Sequence, residues 1–139
     1  MREDLLILFS FESKCVINLV SNLNHIHANK TAIEQILINL VTNAIKYNDK
    51  PITEIELKVT ESEKQYEIYF TDNGPGIPKE SHEKIFQLFE TLTNYDKFGH
   101  SGNGIGLATV KKMVGNLGGK IHVESELGKG ASFIFTINK

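Results

Sequence analysis

Two asparagines lie on the polar side of the stretch 31–47, TAIEQILINLVTNAIKY, in which apolar residues recur at the spacing of one helix face. Thr31 and Glu34 fit the Ser/Thr-x-x-Glu pattern of a capping box at the start of this predicted helix. Asn39 and Asn43 are four residues apart, so their amides project side by side. Amide oxygens suit a hard cation such as Mg²⁺ or a hydrogen-bonded ligand. An ordinary helix with an uncharged polar face explains the same pattern.

A carboxylate follows the second strand of a predicted hairpin. Residues 55–59 and 66–70 alternate apolar and polar side chains, and the second strand runs into Asp72 and the sequence NGPGIP at 73–78. A carboxylate at a strand end, before a glycine-rich loop, is a favourable place for a binding residue, because glycines let the backbone approach a ligand closely. A tight turn with Asp as a turn former remains the alternative.

A second glycine-rich turn, GNGIGL at 102–107, opens another predicted helix. Free backbone N–H groups at a helix N-terminus attract phosphate. The turn matches neither the Rossmann pattern GxGxxG nor the Walker A pattern GxxxxGK[ST]. Residues 90–103 show no periodicity, and a loop of this length is usually a functional lid or disordered.

The remaining elements indicate the fold class. The patterns predict a strand at 15–20, a helix from Pro78 to Phe89, and a closing hairpin of 120–124 and 132–137 around a Gly-Lys-Gly turn. A mixed order of strands and helices that ends in an antiparallel hairpin predicts an α+β fold: a two-layer sandwich with a mixed, mostly antiparallel sheet and helices on one face. We expect one domain over residues 1–139.

The composition limits the partners. The 139 residues carry a net charge of −2, which provides no broad basic field for nucleic acid or an anionic membrane. Arg2 is the single arginine, so phosphate contacts inside the domain must come from lysine or backbone N–H groups. Cys15 is the single cysteine and cannot form an internal disulfide. We expect a cytoplasmic domain, and the sequence leaves open whether a parent protein is attached to a membrane.

In this order, the motifs resemble the catalytic, ATP-binding domain of bacterial sensor histidine kinases, within the superfamily of gyrase, heat-shock chaperone, histidine kinase and mismatch-repair ATPases. The resemblance covers residues 31–137 and implies a Bergerat-type fold with ATP and Mg²⁺ as ligands. The matching segments are NLVTNAIKY (39–47, similar to the N box), DNGPGI (72–77, the G1 box), IFQLFE (85–90, the F box), GNGIGLATVKKMV (102–114, the G2 box) and GKGASF (128–133, the last glycine-rich turn).

The resemblance implies a role for each matched position. Asp72 would accept a hydrogen bond from the exocyclic amine of adenine. Asn43 would coordinate Mg²⁺ with Asn39 beside it, and Lys46 would reach the phosphates. Residues 90–103 would form the ATP lid. The other positions that the resemblance assigns to the nucleotide are Tyr47, Gly74, Gly76, Ile77, Lys97, Gly102, Gly104, Ile105, Gly106, Leu107 and Ser132.

The residue four positions before Asn43 separates the branches of this superfamily. Hydrolases carry Glu there, whereas this chain has Asn39, whose amide cannot act as a general base. The resemblance therefore implies transfer of the γ-phosphoryl group to a histidine rather than fast hydrolysis. The alternatives are a weak ATPase of the same fold and a nucleotide-binding pseudokinase or scaffold.

None of the five histidines lies in the sequence His-Glu-Leu-Arg followed by Pro that marks the phosphoacceptor. The resemblance therefore implies that a dimerisation domain with the phosphoacceptor histidine lies elsewhere in the same protein or in another chain. It also implies a downstream response regulator, and an isolated domain that is monomeric and inactive in autophosphorylation. The five histidines are His25, His27, His82, His100 and His122.

Overall fold

The computed structural model describes residues 15–21, 28–87 and 106–139. Within these ranges, two short 3₁₀ turns accompany five strands and two α-helices. The strands and helices are β1 (Cys15–Ser21), α1 (Lys30–Tyr47), β2 (Thr53–Glu61), β3 (Gln65–Asp72), α2 (Gly106–Asn116), β4 (Ile121–Ser125) and β5 (Ala131–Asn138).

The five strands form one mixed sheet in the order β1-β2-β3-β5-β4. β1 runs parallel to β2, and each of the other neighbouring pairs is antiparallel. Alternate residues of β2 and β3 are buried, and they share one apolar core with the buried residues of α1 and α2. The predicted α+β sandwich with a mostly antiparallel sheet is therefore confirmed. None of the helices in the described part of the chain is long and apolar enough to cross a membrane.

Helix α1 buries the apolar stripe that the sequence predicts. Each buried Ile, Leu or Val side chain contributes about 1.5–3 kcal/mol when it is removed from water, so this face fixes the helix on the sheet and leaves its polar face outward. The buried residues are Ile33, Ile36, Leu37, Leu40, Val41, Ala44 and Ile45.

The start of α1 differs from the prediction. Asn29 is the N-cap, and its Oδ1 accepts a hydrogen bond from the N–H of Ala32 at 3.0 Å. Thr31 lies inside the helix, and Glu34 is paired with Lys30 at 3.8 Å. The predicted capping box of Thr31 and Glu34 is therefore wrong, because Asn is at least as good an N-cap as Thr and stands two residues earlier.

The predicted helix that begins at Pro78 is also wrong within the described residues. Two 3₁₀ turns, Lys79–Ser81 and Lys84–Phe86, replace it, and the backbone is extended at Gln87. The segment has no apolar residue between Pro78 and Ile85, so it lacks a stripe that a helix could bury. Its two buried apolar residues, Ile85 and Phe86, are adjacent instead. The ring of Phe86 packs edge to face against the ring of Phe133, with ring centroids 6.2 Å apart.

Candidate functional site

Asp72 is the last residue of β3, and its side chain lies on the helix-facing side of the sheet because it continues the alternation of the buried Ile68 and Phe70. Its Oδ1 accepts a hydrogen bond from the N–H of Gly74 at 2.8 Å, and the backbone N–H of Ala131 also donates to the carboxylate. Burial raises the pKa of Asp72 above its ordinary value, although these two N–H groups and a nearby lysine oppose the rise.

Residues 73–78, the Asp72 loop, are packed against residues 126–130, the β4–β5 turn. Gly76 has φ +83°, and a Cβ there would lie 2.2 Å from the carbonyl oxygen of Glu126. The N–H of Gly128 donates to the carbonyl of Pro75 at 2.7 Å. Gly130 has φ +79°, and a Cβ there would lie 2.1 Å from the backbone oxygen of Asp72. Glycines 76 and 130 therefore allow two backbone segments to touch, a role that the sequence patterns do not show.

Side chains from two other elements hold Ile77, whose own side chain is buried. Its N–H donates to Ser125 Oγ at 2.8 Å, and the same hydroxyl donates to the carbonyl of Gly130 at 2.6 Å. His82 Nε2 lies 2.9 Å from the carbonyl oxygen of Ile77. Because a carbonyl can only accept, Nε2 of His82 carries a proton in this contact. Both backbone groups of Ile77 are thus fixed.

Two asparagine amides join the end of α1 to the Asp72 loop. Asn48, the residue after α1, is buried, and its Nδ2 donates to Asn73 Oδ1 at 2.7 Å. Asn73 Oδ1 also accepts from the N–H of Glu54 at 2.9 Å, and Asn73 Nδ2 donates to the carbonyl of Ile52 at 3.1 Å. These bonds fix the helix that carries Asn43 relative to the strand that carries Asp72.

The polar face of α1 is less constrained. Asn39 Oδ1 accepts a hydrogen bond from Gln35 Nε2 at 3.0 Å. Within residues 15–21, 28–87 and 106–139, no hydrogen bond engages the amide of Asn43. Lys46 Nζ lies 6.0 Å from the centroid of the Tyr47 ring, within reach of a cation–π interaction. The face therefore offers one amide oxygen and one ammonium group.

This donor set is suited to a metal ion shared with a phosphate ligand. In the described part of the chain, no three His, Cys, Asp or Glu side chains are grouped so that they could hold a metal. Mg²⁺ usually keeps several waters and takes one or two protein oxygens together with substrate phosphates. One amide oxygen from Asn43 fits that requirement, and a dedicated cluster of protein ligands is not needed.

The phosphate side is described only in part. Helix α2 begins at Gly106, where a Cβ would meet no atom within 4 Å, and Leu107 is buried. The first N–H groups of an α-helix have no partner within the helix. The roles that the resemblance implies for Lys97, Gly102, Gly104, Ile105 and the lid 90–103 fall outside the described residues, as do Phe89, His25, His27 and His100.

The structure does not bring Ser132 to the Asp72 site. Asp72 is paired with Ala131 across the β3–β5 ladder, so the next residue points to the other face of the sheet. There the hydroxyl of Ser132 is hydrogen-bonded to the hydroxyl of Thr71 at 2.9 Å. The sequence contains a signal for this placement, because Ser132 is next to the apolar, buried Phe133 and successive strand residues point to opposite faces.

The family of the chain follows from comparison with known proteins. Residues 28–139 match the family described as "Histidine kinase-, DNA gyrase B-, and HSP90-like ATPase". The chain therefore belongs to this family of ATPases, as its ordered motifs predict. Its structural neighbours and relatives identify the branch.

Solved histidine kinases have the same fold. The chain superposes on a nucleotide-free catalytic domain of the histidine kinase ThkA with a TM-score of 0.80 and 29% identity, covering 99% of this chain and 90% of ThkA's. Superposition on full-length ShkA in complex with AMPPNP gives a TM-score of 0.77 and 27% identity, covering 96% of this chain and 27% of ShkA. The chain is therefore a histidine-kinase-type ATPase domain.

Curated relatives are much longer proteins. Cyanobacterial phytochrome B of Nostoc sp. is 37% identical over 127 residues, which are 91% of this chain and 17% of the relative. Sensor protein SrrB of Staphylococcus aureus is 37% identical over 107 residues, which are 77% of this chain and 18% of the relative. The chain thus spans less than a fifth of the length of these relatives.

Proposed function

We propose that this domain binds ATP with Mg²⁺ and presents the γ-phosphoryl group to a histidine of a separate domain. The observation that carries the proposal is the Asp72 carboxylate, which is oriented by the N–H groups of Gly74 and Ala131. A carboxylate has about four lone-pair sites. Two backbone donors therefore leave it able to accept from the exocyclic amine of adenine. In this proposal Gly74, Gly76, Ile77 and Tyr47 border the base.

The carboxylate also selects the base. Adenine carries an amino group at position 6, which donates a hydrogen bond, whereas guanine and hypoxanthine carry an oxygen there. An ionised Asp72 would face that oxygen with another acceptor, and a site built to hydrogen-bond one group discriminates strongly against a ligand that lacks it. We therefore expect ATP and ADP to bind more tightly than nucleotides with a 6-oxo purine.

The phosphates lie toward the polar face of α1 and the start of α2 in this proposal. Asn43 supplies an amide oxygen to Mg²⁺, and Lys46 one turn further supplies a positive charge. The N-terminus of α2 at Gly106 and Leu107 offers backbone N–H groups to the phosphates. Bound Mg²⁺ would neutralise phosphate charge during phosphoryl transfer. Lys97, Gly102, Gly104 and Ile105 complete the phosphate side.

In the described part of the chain, an amide occupies the position from which hydrolases of the superfamily activate water. Asn39 stands where hydrolases of the superfamily carry Glu, and its amide oxygen already accepts from Gln35. Glu34 is ion-paired with Lys30. A histidine acceptor needs little deprotonation, so positioning and electrostatics are sufficient for transfer to it. These features favour transfer over hydrolysis, and a weak ATPase is the second possibility.

We propose that the acceptor histidine belongs to a dimerisation domain of the same protein or of another chain. Among the described histidines, His82 is bonded to a backbone carbonyl, and His122 lies exposed within 3.7 Å of Glu124. ThkA has been solved in complex with the response regulator TrrA, and we propose a response regulator as the downstream partner here as well. Because ATP is the donor, we place the domain in the cytoplasm.

A phosphotransfer assay tests the proposal. The domain is mixed with labelled ATP, Mg²⁺ and a helical domain that carries a phosphoacceptor histidine, and acid-labile phosphohistidine is measured. Label on the histidine supports the kinase assignment. Release of phosphate without label identifies a weak ATPase, and nucleotide binding without either reaction identifies a pseudokinase or scaffold. Sedimentation of the domain alone should show a monomer.

A further inference from the structure

We propose that Ser125 is a positioning residue whose hydroxyl sets the discrimination between adenine and 6-oxo purines. The inference rests on the ATP-binding function proposed above. Ser125 is the last residue of β4 and contacts the Asp72 loop at Ile77, near the end of the loop that is distant from Asp72 in sequence.

One hydroxyl joins two backbone segments. Ser125 Oγ accepts from the N–H of Ile77 at 2.8 Å and donates to the carbonyl of Gly130 at 2.6 Å. A serine hydroxyl has one donor and two acceptor sites, so both bonds are made at the same time. Removing the hydroxyl therefore takes a partner from an N–H and from a carbonyl on two different segments.

Both ends of this bridge lead to the base site. Gly130 lies against the backbone oxygen of Asp72, and the next residue, Ala131, donates its N–H to the Asp72 carboxylate. At the other end, Ile77 closes the loop that begins at Asp72. Ser125 therefore fixes the separation between the carboxylate and the residue proposed to border the base.

His82 holds the same residue from the other side. Its Nε2 donates to the carbonyl of Ile77 at 2.9 Å. When the Ser125 hydroxyl is removed, this single bond remains, and the N–H of Ile77 and the carbonyl of Gly130 lose a partner. We expect the Asp72 loop to shift along the β4–β5 turn, which moves the base out of line with the carboxylate.

Calorimetric titration with ADP and with IDP tests the proposal, because IDP carries the 6-oxo base. For Ser125→Ala we expect the Kd for ADP to rise about tenfold, the size of effect that one or two neutral hydrogen bonds produce. IDP gains nothing from the alignment with Asp72, so its Kd should change less, and the ratio of the two Kd values should fall about fivefold. Ser125→Thr retains a hydroxyl and should restore the ratio.

Ser62→Ala is the matched control. The hydroxyl of Ser62 also accepts from a backbone N–H and donates to a backbone carbonyl, both of Gln65, at 3.2 Å and 3.3 Å. It lies in the β2–β3 turn, at the opposite end of these strands from Asp72. We expect this variant to keep the ADP to IDP ratio of the wild type.

The ratio of the Kd values for IDP and ADP separates a positioning role of Ser125 from a purely structural one. A lower folded fraction weakens both nucleotides by the same factor and leaves the ratio unchanged, so an unchanged ratio in Ser125→Ala overturns the inference. If that variant does not fold, Ser125→Cys, which keeps the shape but hydrogen-bonds weakly, serves in its place. A wild type that binds no ADP overturns the proposed function and the role of Ser125 with it, whereas tight wild-type binding with an unchanged ratio overturns the inference alone.

Discussion

The two sides of the candidate nucleotide site are held in different ways. On the base side, protein groups already bond Asp72, Asn73 and Ile77, and glycines 76 and 130 let two backbones touch. On the phosphate side, the Asn43 amide has no partner among the described residues. The base side is therefore formed by folding, whereas the polar face of α1 keeps the Asn43 amide available for the ligand that we propose.

Because of this difference, substitutions on the two sides should change the free energy of unfolding by different amounts. A buried donor or acceptor that loses its partner costs about 1–3 kcal/mol, whereas removal of the half-buried Asn43 amide leaves no hydrogen-bond partner unbonded among the described residues. Base-side changes that leave a group without its partner should therefore reduce the stability of the fold, and changes on the α1 face should reduce ligand affinity alone. Replacing the buried Asp72 carboxylate by a neutral amide should instead become more favourable for stability as pH rises. Four substitutions test this contrast.

Gly130→Ala should have the largest effect on stability. The new Cβ would lie 2.1 Å from the backbone oxygen of Asp72 at φ +79°. We expect a loss of about 3 kcal/mol or more in the free energy of unfolding, from overpacking and backbone strain together. Urea denaturation measures it.

Gly128→Ala is the control for that strain. Gly128 has φ +81°, but a Cβ there would meet no atom within 4 Å. This variant should lose only about 1–2 kcal/mol, the cost of the left-handed conformation alone. Equal losses in the two variants would show that the approach of the two backbones is unimportant.

Asn48→Ala should have the next largest effect. Asn48 is 3% exposed, donates to Asn73, and accepts from the N–H of Lys50 at 2.6 Å. We expect a loss of about 2 kcal/mol in the free energy of unfolding, because two part-buried hydrogen bonds are lost together. Gln65→Ala removes an amide–amide bond to the exposed Asn138 and should lose less than about 0.5 kcal/mol. Similar losses would contradict the role of the Asn48–Asn73 pair.

Asp72→Asn should change the pH dependence of stability. Burial raises the folded-state pKa of Asp72 above the ordinary value of 3.8, so the folded protein holds this proton more tightly than the unfolded chain does. The wild type therefore loses stability as pH rises from below 3.8 through the folded-state pKa. The variant cannot ionise, and its amide oxygen can still accept from Gly74.

Urea denaturation of both proteins across this pH range measures how their difference in the free energy of unfolding changes with pH. The stability of Asp72→Asn relative to the wild type should increase as pH rises. Asp49→Asn, at an exposed position, controls for the change in net charge. A relative stability that stays constant or falls with pH would mean that the Asp72 carboxylate is not buried at a cost.

Asn43→Ala should have the smallest effect on stability. The amide has no partner among the described residues, and Ala favours a helix interior by roughly 0.5 kcal/mol over Asn. We expect a change within about 0.5 kcal/mol in the free energy of unfolding, together with loss of the Mg²⁺-dependent part of ATP affinity. Thr42→Ala, exposed on the same helix, should keep the Mg²⁺ dependence. Loss of that dependence in both variants would argue against Asn43 as the ligand.

The sequence predicts the elements whose signal is local. The stripe of α1, both hairpins and the position of Asp72 at a strand end follow from residue periods of 3.6 and 2. The wrong predictions concern choices between similar local signals. Asn29 and Thr31 are both good N-caps, and the segment after Pro78 has helix-compatible residues without the apolar stripe that a helix needs.

The contacts behind the Asp72 loop could not be read from the sequence. Ser125 and Ile77 are 48 residues apart, and Asn48 and Asn73 are 25 apart. No periodicity relates such pairs, because their contact depends on the order of strands in the sheet. Ser132 is easier to place. Once its register with β3 is known, strand alternation alone shows that its side chain points to the opposite face of the sheet from Asp72.

Calorimetric titration of wild type and Asp72→Asn with ATP, in the presence and absence of Mg²⁺, tests whether Asp72 binds adenine. We expect Mg²⁺-dependent binding to the wild type and a Kd roughly tenfold to a hundredfold higher for Asp72→Asn, the cost of losing a hydrogen bond to a charged group. The variant should remain folded at neutral pH, so the loss would report on the base contact. Equal affinity of the two proteins for ATP would contradict the assignment of Asp72 to adenine.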